Sequence, residues 1–80
     1  MEFTSHFIEM LEERAIPWEW VEQALQAPNQ IEDREDGTRH FMKQIPEYEN
    51  RWLRVVVNVN LNPHRAITAF FDRRLRRTKV

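Results

Sequence analysis

Between Arg51 and Asp72, Trp52, Arg54 and Asn58 fall on alternate positions of one run, and Thr68 and Phe70 do the same in the next. A guanidinium set among rings and amides on one sheet face suits single-stranded nucleic acid, with the cation on phosphate and the rings under bases. His40 belongs beside this group. The same aromatics also suit an edge cover, a dimer contact or a bed for the C-terminal tail. That tail carries Arg73-Arg74 and Arg76-Arg77, cation pairs that bind phosphates without sequence preference. They equally suit a solvated terminus or a dock for an acidic protein.

Other chemistries are excluded more firmly. With no Cys there is no disulfide, thiolate zinc site or sulfur nucleophile. His6, His40 and His64 share no ligand spacing, so no metal is expected, and nothing in the chain calls for a cofactor. The one Ser, Ser5, is better placed as a helix cap than as a catalytic nucleophile, and there is no Gly-rich phosphate loop.

The elements that must hold these residues follow from periodicity. Leu53, Val55, Val57 and Val59 alternate with Trp52, Arg54, Val56 and Asn58, which predicts a half-buried strand with Arg54 in the open. Asn62-Pro63-His64 predicts the reversal into a second strand, Ala66 to Phe71, with Ile67, Ala69 and Phe71 inward. Upstream, Thr4 or Ser5 caps a helix running to about Arg14, with Phe7, Ile8, Leu11 and Ala15 as its apolar stripe and Met10 at the margin. Arg14 projects from the apolar side, to be held by a carboxylate or by carbonyl groups. Ile16-Pro17 breaks that helix and opens a second, Trp18 to about Gln26, whose Trp18, Trp20, Val21, Ala24 and Leu25 share a face. Gln30 to Arg34 reads as a short polar strand, Asp36-Gly37 as a tight primed turn, and Arg39 to Ile45 as the returning strand.

Helices first and strands afterwards predict an α+β fold, two N-terminal helices on one face of a four-stranded antiparallel meander, as one domain over residues 1–80. The apolar fraction of 41% and the single Gly argue against disorder. No apolar run approaches membrane-spanning length and the start lacks a basic leader, so a cytoplasmic protein away from membranes is expected. The net charge of -1 conceals a split: residues 1–36 hold ten acids against Arg14 and Arg34, and residues 37–80 hold three acids against ten cations. The halves thus carry about -8 and +7.

Ser5-His6, Arg14-Ala15-Ile16, Val21, Pro28, the Leu53-Arg54-Val55-Val56 run and Ile67-Thr68 carry a resemblance. Together they resemble a small bacterial family, the domain of unknown function numbered forty-two fifty-eight, over nearly the whole chain. The resemblance implies a RelE-like fold, akin to RelE-like and BrnT-like toxins, the small ribonucleases of toxin–antitoxin modules. His6, Arg14 and Thr68 match motif positions. Glu9 stands where the family has Arg before Met, and bulky Phe7 follows His6 where the family has a small residue. What this implies is RNA binding or metal-independent endoribonuclease chemistry, with His6 or His40 as base or acid and Arg14, Arg54 and Arg73 steadying the phosphate. The RNA-contacting set would be His40, Trp52, Asn58, Thr68, Phe70, Arg73, Arg74, Arg76 and Arg77. The partners implied are RNA and an acidic antitoxin protein. A non-enzymatic interaction domain, binding a second copy of itself or an acidic protein, and a toxin fold that has lost its activity are the competing readings.

Overall fold

The computed structural model describes residues 1–75. Helices α1 (Ser5–Glu13) and α2 (Trp18–Gln26) precede β1 (Gln30–Asp33), β2 (Thr38–Ile45), β3 (Arg51–Asn58) and β4 (Arg65–Phe71). The strands form one antiparallel sheet in the order β1-β2-β3-β4, so the predicted α+β meander is what the chain adopts. Thr4 is the cap of α1: its Oγ1 accepts the Phe7 N–H at 3.1 Å. Ser5 is therefore the first helical residue.

The core lies between the helices and one sheet face. Phe7, Met10 and Leu11 from α1, Val21 and Ala24 from α2, and Ile45, Leu53, Val55, Val57, Ala66 and Ala69 from the sheet are buried together. Two inward positions differ from the alternation. The β3–β4 register shifts between Val56 and Val57, so Val56 faces Thr68 while Val57 faces Ala66. Ile67 is the extra residue of this bulge and stays 43% exposed, while Ala66 enters the core in its place. On α1, Met10 is buried and Ile8 is 37% exposed, because the helix packs against the sheet margin at β4 and turns its Met10 flank inward. Ile16 is buried as well.

Ala15, expected within the apolar stripe, lies beyond the helix with φ 54°, in the left-handed region. Its N–H bonds Glu12 O at 3.1 Å and Ile16 N–H bonds Leu11 O at 2.9 Å, the pair of bonds that closes a helix when the residue after the cap turns left-handed. Glycine serves best at that position, since a Cβ there crowds the carbonyl.

The β1–β2 hairpin also departs from expectation. Gly37 N–H bonds Arg34 O at 3.2 Å and Arg34 N–H bonds Thr38 O at 2.8 Å, and of these residues Gly37 alone has positive φ, +86°. Arg34–Gly37 is thus an ordinary turn closed by a left-handed glycine, which matches strand twist as well as a two-residue primed turn would. At the far end the Asn62-Pro63 peptide is cis. The β4 edge is occupied: Glu2 bridges to Arg65 in parallel, donating its N–H to His64 O and accepting the Ala66 N–H at 3.0 Å.

Ala15→Gly is expected to stabilise the protein by about 1 kcal/mol, the relief at the left-handed position outweighing the extra freedom of the unfolded chain. Gly37→Ala is expected to cost about 1–2 kcal/mol. A new Cβ would run into Asn60 Nδ2, but that exposed side chain can swing aside, so the backbone angle sets the cost. Thermal melts of the two variants should move in opposite directions; a fall for Ala15→Gly would contradict the strain.

Candidate functional site

On the sheet face away from the helices, register places side chains in rows. Glu32, His40, Val56 and Thr68 form one row, and Gln30, Met42, Arg54 and Phe70 the next. Asp72 lies beyond Trp52, its N–H on Trp52 O at 2.9 Å. This face is not the open platform that alternation predicts. Arg54 is 5% exposed, Trp52 9%, Met42 3% and Val56 8%. His40, Asn58, Thr68 and Phe70 are half-buried. β3 is therefore packed on both sides, and period two alone cannot show that, since it separates two faces without saying how deep either lies.

Burying Arg54 requires partners, because an unpaired cation away from water is costly. Its Nε donates to Asp72 Oδ2 at 2.8 Å and its Nη1 to His40 Nδ1 at 2.9 Å. Asp72, only 4% exposed, also accepts from Arg74: the backbone N–H at 2.9 Å, Nε at 3.1 Å and Nη2 at 3.1 Å. The Arg74 guanidinium and amide, helped by Arg54, hold the Asp72 carboxyl down at about 2 against the pull of burial.

The network continues through His40. Arg54 can only donate, so the Nδ1 facing it is bare and Nε2 carries the proton. Nε2 then bonds Thr38 Oγ1 at 3.1 Å, and Thr38 Oγ1 donates to Asp36 Oδ1 at 2.6 Å. Burial first, then the charges of Arg34 and Arg54, lower the His40 pKa and keep the ring neutral. Both ring nitrogens are engaged, which leaves His40 holding Arg54 in place rather than exchanging protons. Arg54 Nη2 makes no hydrogen bond among the described residues. No fully buried polar side-chain atom there lacks a partner, so Nη2 is where this cation meets the surface.

Arg14 sits elsewhere. Its Nη1 donates to Ala69 O at 2.8 Å and to Thr68 Oγ1 at 3.1 Å, and Thr68 Oγ1 reaches Met10 Sδ at 3.2 Å. Of the holds the sequence leaves open for Arg14, a carbonyl one forms, joined by the Thr68 hydroxyl, and it clips the end of α1 to the edge strand. His6, one turn before Met10, is exposed and makes no hydrogen bond or ion pair among the described residues. The three residues put forward for catalysis are thus distributed: His6 free on α1, Arg14 engaged at the α1–β4 seam, Arg54 inside the outer face. Arg73 and Arg74 are exposed beside Asp72; Arg76 and Arg77 lie outside the described residues. Asn58 has a local role, its Oδ1 accepting the Asn60 N–H at 2.9 Å.

Sequence reasoning missed Asp72 as the partner of Arg54. Its signal was parity: residue 72 continues the outward series of Thr68 and Phe70, beside the strand that carries Arg54. No group of three or more His, Cys, Asp or Glu residues able to hold a metal occurs among the described residues. Nor is any described helix long and apolar enough to cross a membrane.

Asp72→Asn should cost about 3 kcal/mol or more by stranding a buried guanidinium, whereas Arg54→Met with Asp72→Leu should be far milder. Because the Asp72 carboxyl is lowered from 3.8 to about 2, its stabilisation is complete above pH 4 and is lost as pH falls through 2. Denaturant titrations of the parent at pH 5 and pH 2 should differ by about 2 kcal/mol more than those of the double variant. Equal acid sensitivity in both would remove Asp72 as the source.

No curated protein and no solved structure matches the chain significantly. Residues 3–71, which take in both helices and all four strands, match one sequence family, and on that match the chain belongs to the family described as domain of unknown function DUF4258.

Proposed function

We propose that this protein binds single-stranded RNA as a RelE-like half of a two-protein module, gripping phosphate at the Arg54–Asp72–Arg74 end of the outer sheet face. The observation that carries the reading is the clamped Arg54 guanidinium. Asp72 and His40 fix two of its edges, and Nη2 makes no hydrogen bond among the described residues and keeps a small contact with solvent. Arg74, its side chain 79% exposed, and exposed Arg73 stand beside it. With Asp72 ionised and His40 neutral, Arg54, Arg74 and Asp72 sum to one positive charge, and Arg73 adds another. Half-buried Phe70, in the same row as Arg54, offers a ring edge to a base. An arginine held by a carboxylate loses little freedom on meeting phosphate, which favours binding.

A metal-independent ribonuclease is the second reading, and His6 favours it. Among the motif residues His6, Arg14 and Thr68, the other two are consumed in clipping α1 to β4. His6 alone stays exposed and unbonded among the described residues, open to act as base or acid.

Titration of a labelled single-stranded RNA across salt should give a linear fall of log affinity with log salt, and Arg73→Ala should reduce the slope by about one. Absence of binding at physiological salt would end the RNA proposal. Cleavage of the same RNA in the presence of a chelator, lost in His6→Ala while binding persists, would establish the second reading; no cleavage by the parent would dismiss it.

A further inference from the structure

The charge split has a location that the sequence does not show. Every ion pair among the described residues lies outside the two helices: Arg34–Glu32, Arg39–Asp33, Arg51–Glu49, Arg65–Glu2 and the Asp72 pairs. The sheet half is largely neutralised by its own acids. On the helices, Glu9, Glu12, Glu13, Glu19 and Glu22 are exposed and have no ion-pair partner among the described residues. Arg14, the one Arg or Lys next to these helices in the chain, is turned to Thr68 and the Ala69 carbonyl.

An apolar groove of about 530 Å³ lies between α1 and α2; Glu12 lines it, and Glu9 and Glu19 are chain neighbours of its lining residues Ile8 and Trp18. Leu11 and Ile16 form its floor, and Ile8, Ala15, Pro17 and Trp18 its sides. Ile8 and Trp18 are each 37% exposed, large apolar side chains left at the surface beside the Glu12 carboxylate. Glu12 is the one charged residue lining it, so the groove lacks the convergent polar groups that orient a small ligand.

We propose that this groove docks a basic amphipathic helix of another protein, its apolar stripe on Ile8 and Trp18 and its Lys and Arg over Glu9, Glu12 and Glu19. Charge complementarity selects the partner's sign, since Glu12 lines the groove, Glu9 and Glu19 adjoin it without an ion-pair partner among the described residues, and Arg14 is turned away to β4. A helix fits because the groove is walled by side chains of two helices and offers no free backbone edge for a strand. A second copy docking by the same face is disfavoured, as a two-fold contact would set glutamates against glutamates.

The test uses the full chain and a labelled sixteen-residue peptide with Leu at helical i, i+3, i+4 and i+7 spacing and Lys elsewhere, beside a scrambled peptide of the same composition. Fluorescence anisotropy should show the ordered peptide binding at least tenfold tighter than the scrambled one. Ile8→Ser should weaken it about tenfold, and Glu9→Gln with Glu12→Gln should flatten its salt dependence; these exposed positions leave the core intact. Equal binding of the two peptides, or no effect of Ile8→Ser, would overturn the proposal. So would a concentration-dependent dimer in sedimentation that Ile8→Ser dissolves, because the occupant would then be a second copy. RNA affinity measured on the same variants should not change, which keeps this result independent of the RNA reading.

Discussion

The buried pair between Arg54 and Asp72 organises the outer half of this molecule. A guanidinium placed in the most buried strand leaves few arrangements open. A carboxylate must come to it, and the remaining donors must find acceptors or reach water. Asp72 reaches Arg54 because the chain continues past Phe71 in the same outward parity. Arg74 then turns back to the same carboxylate. His40 is neutral and of fixed tautomer for the same reason, as a charged ring would present a proton to a donor. One residue of β3 thereby fixes the end of β4, the turn after it and the imidazole on β2.

Such a pair is not a large source of net stability, because desolvation offsets much of its attraction. What it supplies is position. The rest of the fold has an ordinary basis: helices packed by Phe7, Leu11 and Val21 onto Leu53, Val55 and Val57, with an aromatic group at one end. There Trp20 stacks on Tyr48 at 5.6 Å and Tyr48 meets Phe71 edge-on at 4.9 Å, with Arg51 over the Tyr48 ring at 4.6 Å. That group ties the loop before β3 to α2, so the helical layer and the strand bearing Arg54 are fixed relative to each other.

Much of this was legible beforehand. Val55 and Val57 point to the helices as alternation requires, the span of α2 follows from Pro17 and Pro28, and the sole glycine marks the first hairpin. Strand order followed from short connections. The errors share a cause: periodicity assigns faces but not depth or irregularity. The bulge at Ile67 reverses one position because an extra residue shifts parity locally. Ile8 and Met10 exchange roles because the helix axis is set by what it packs on, a tertiary fact. Arg54 looked exposed because its face was polar in composition; its neighbours buried it. The site was less legible than the fold, since Arg14, His6 and Arg54 come from separate elements and only the register shows that they do not converge.

The two rims of the meander are treated differently. Along β4 the backbone is taken up by Glu2 and by the Arg14 guanidinium, with α1 alongside. Along β1 no strand pairs with the outer rim among the described residues, and all four residues are exposed. Endless stacking of sheets into fibres needs a donor rim and an acceptor rim on every molecule. A molecule with one rim closed can at most join face to face with a single companion and then stop. The Glu2 bridge and the Arg14 clip thereby limit edge-to-edge growth of a sheet whose inner strand β3 is rich in Val.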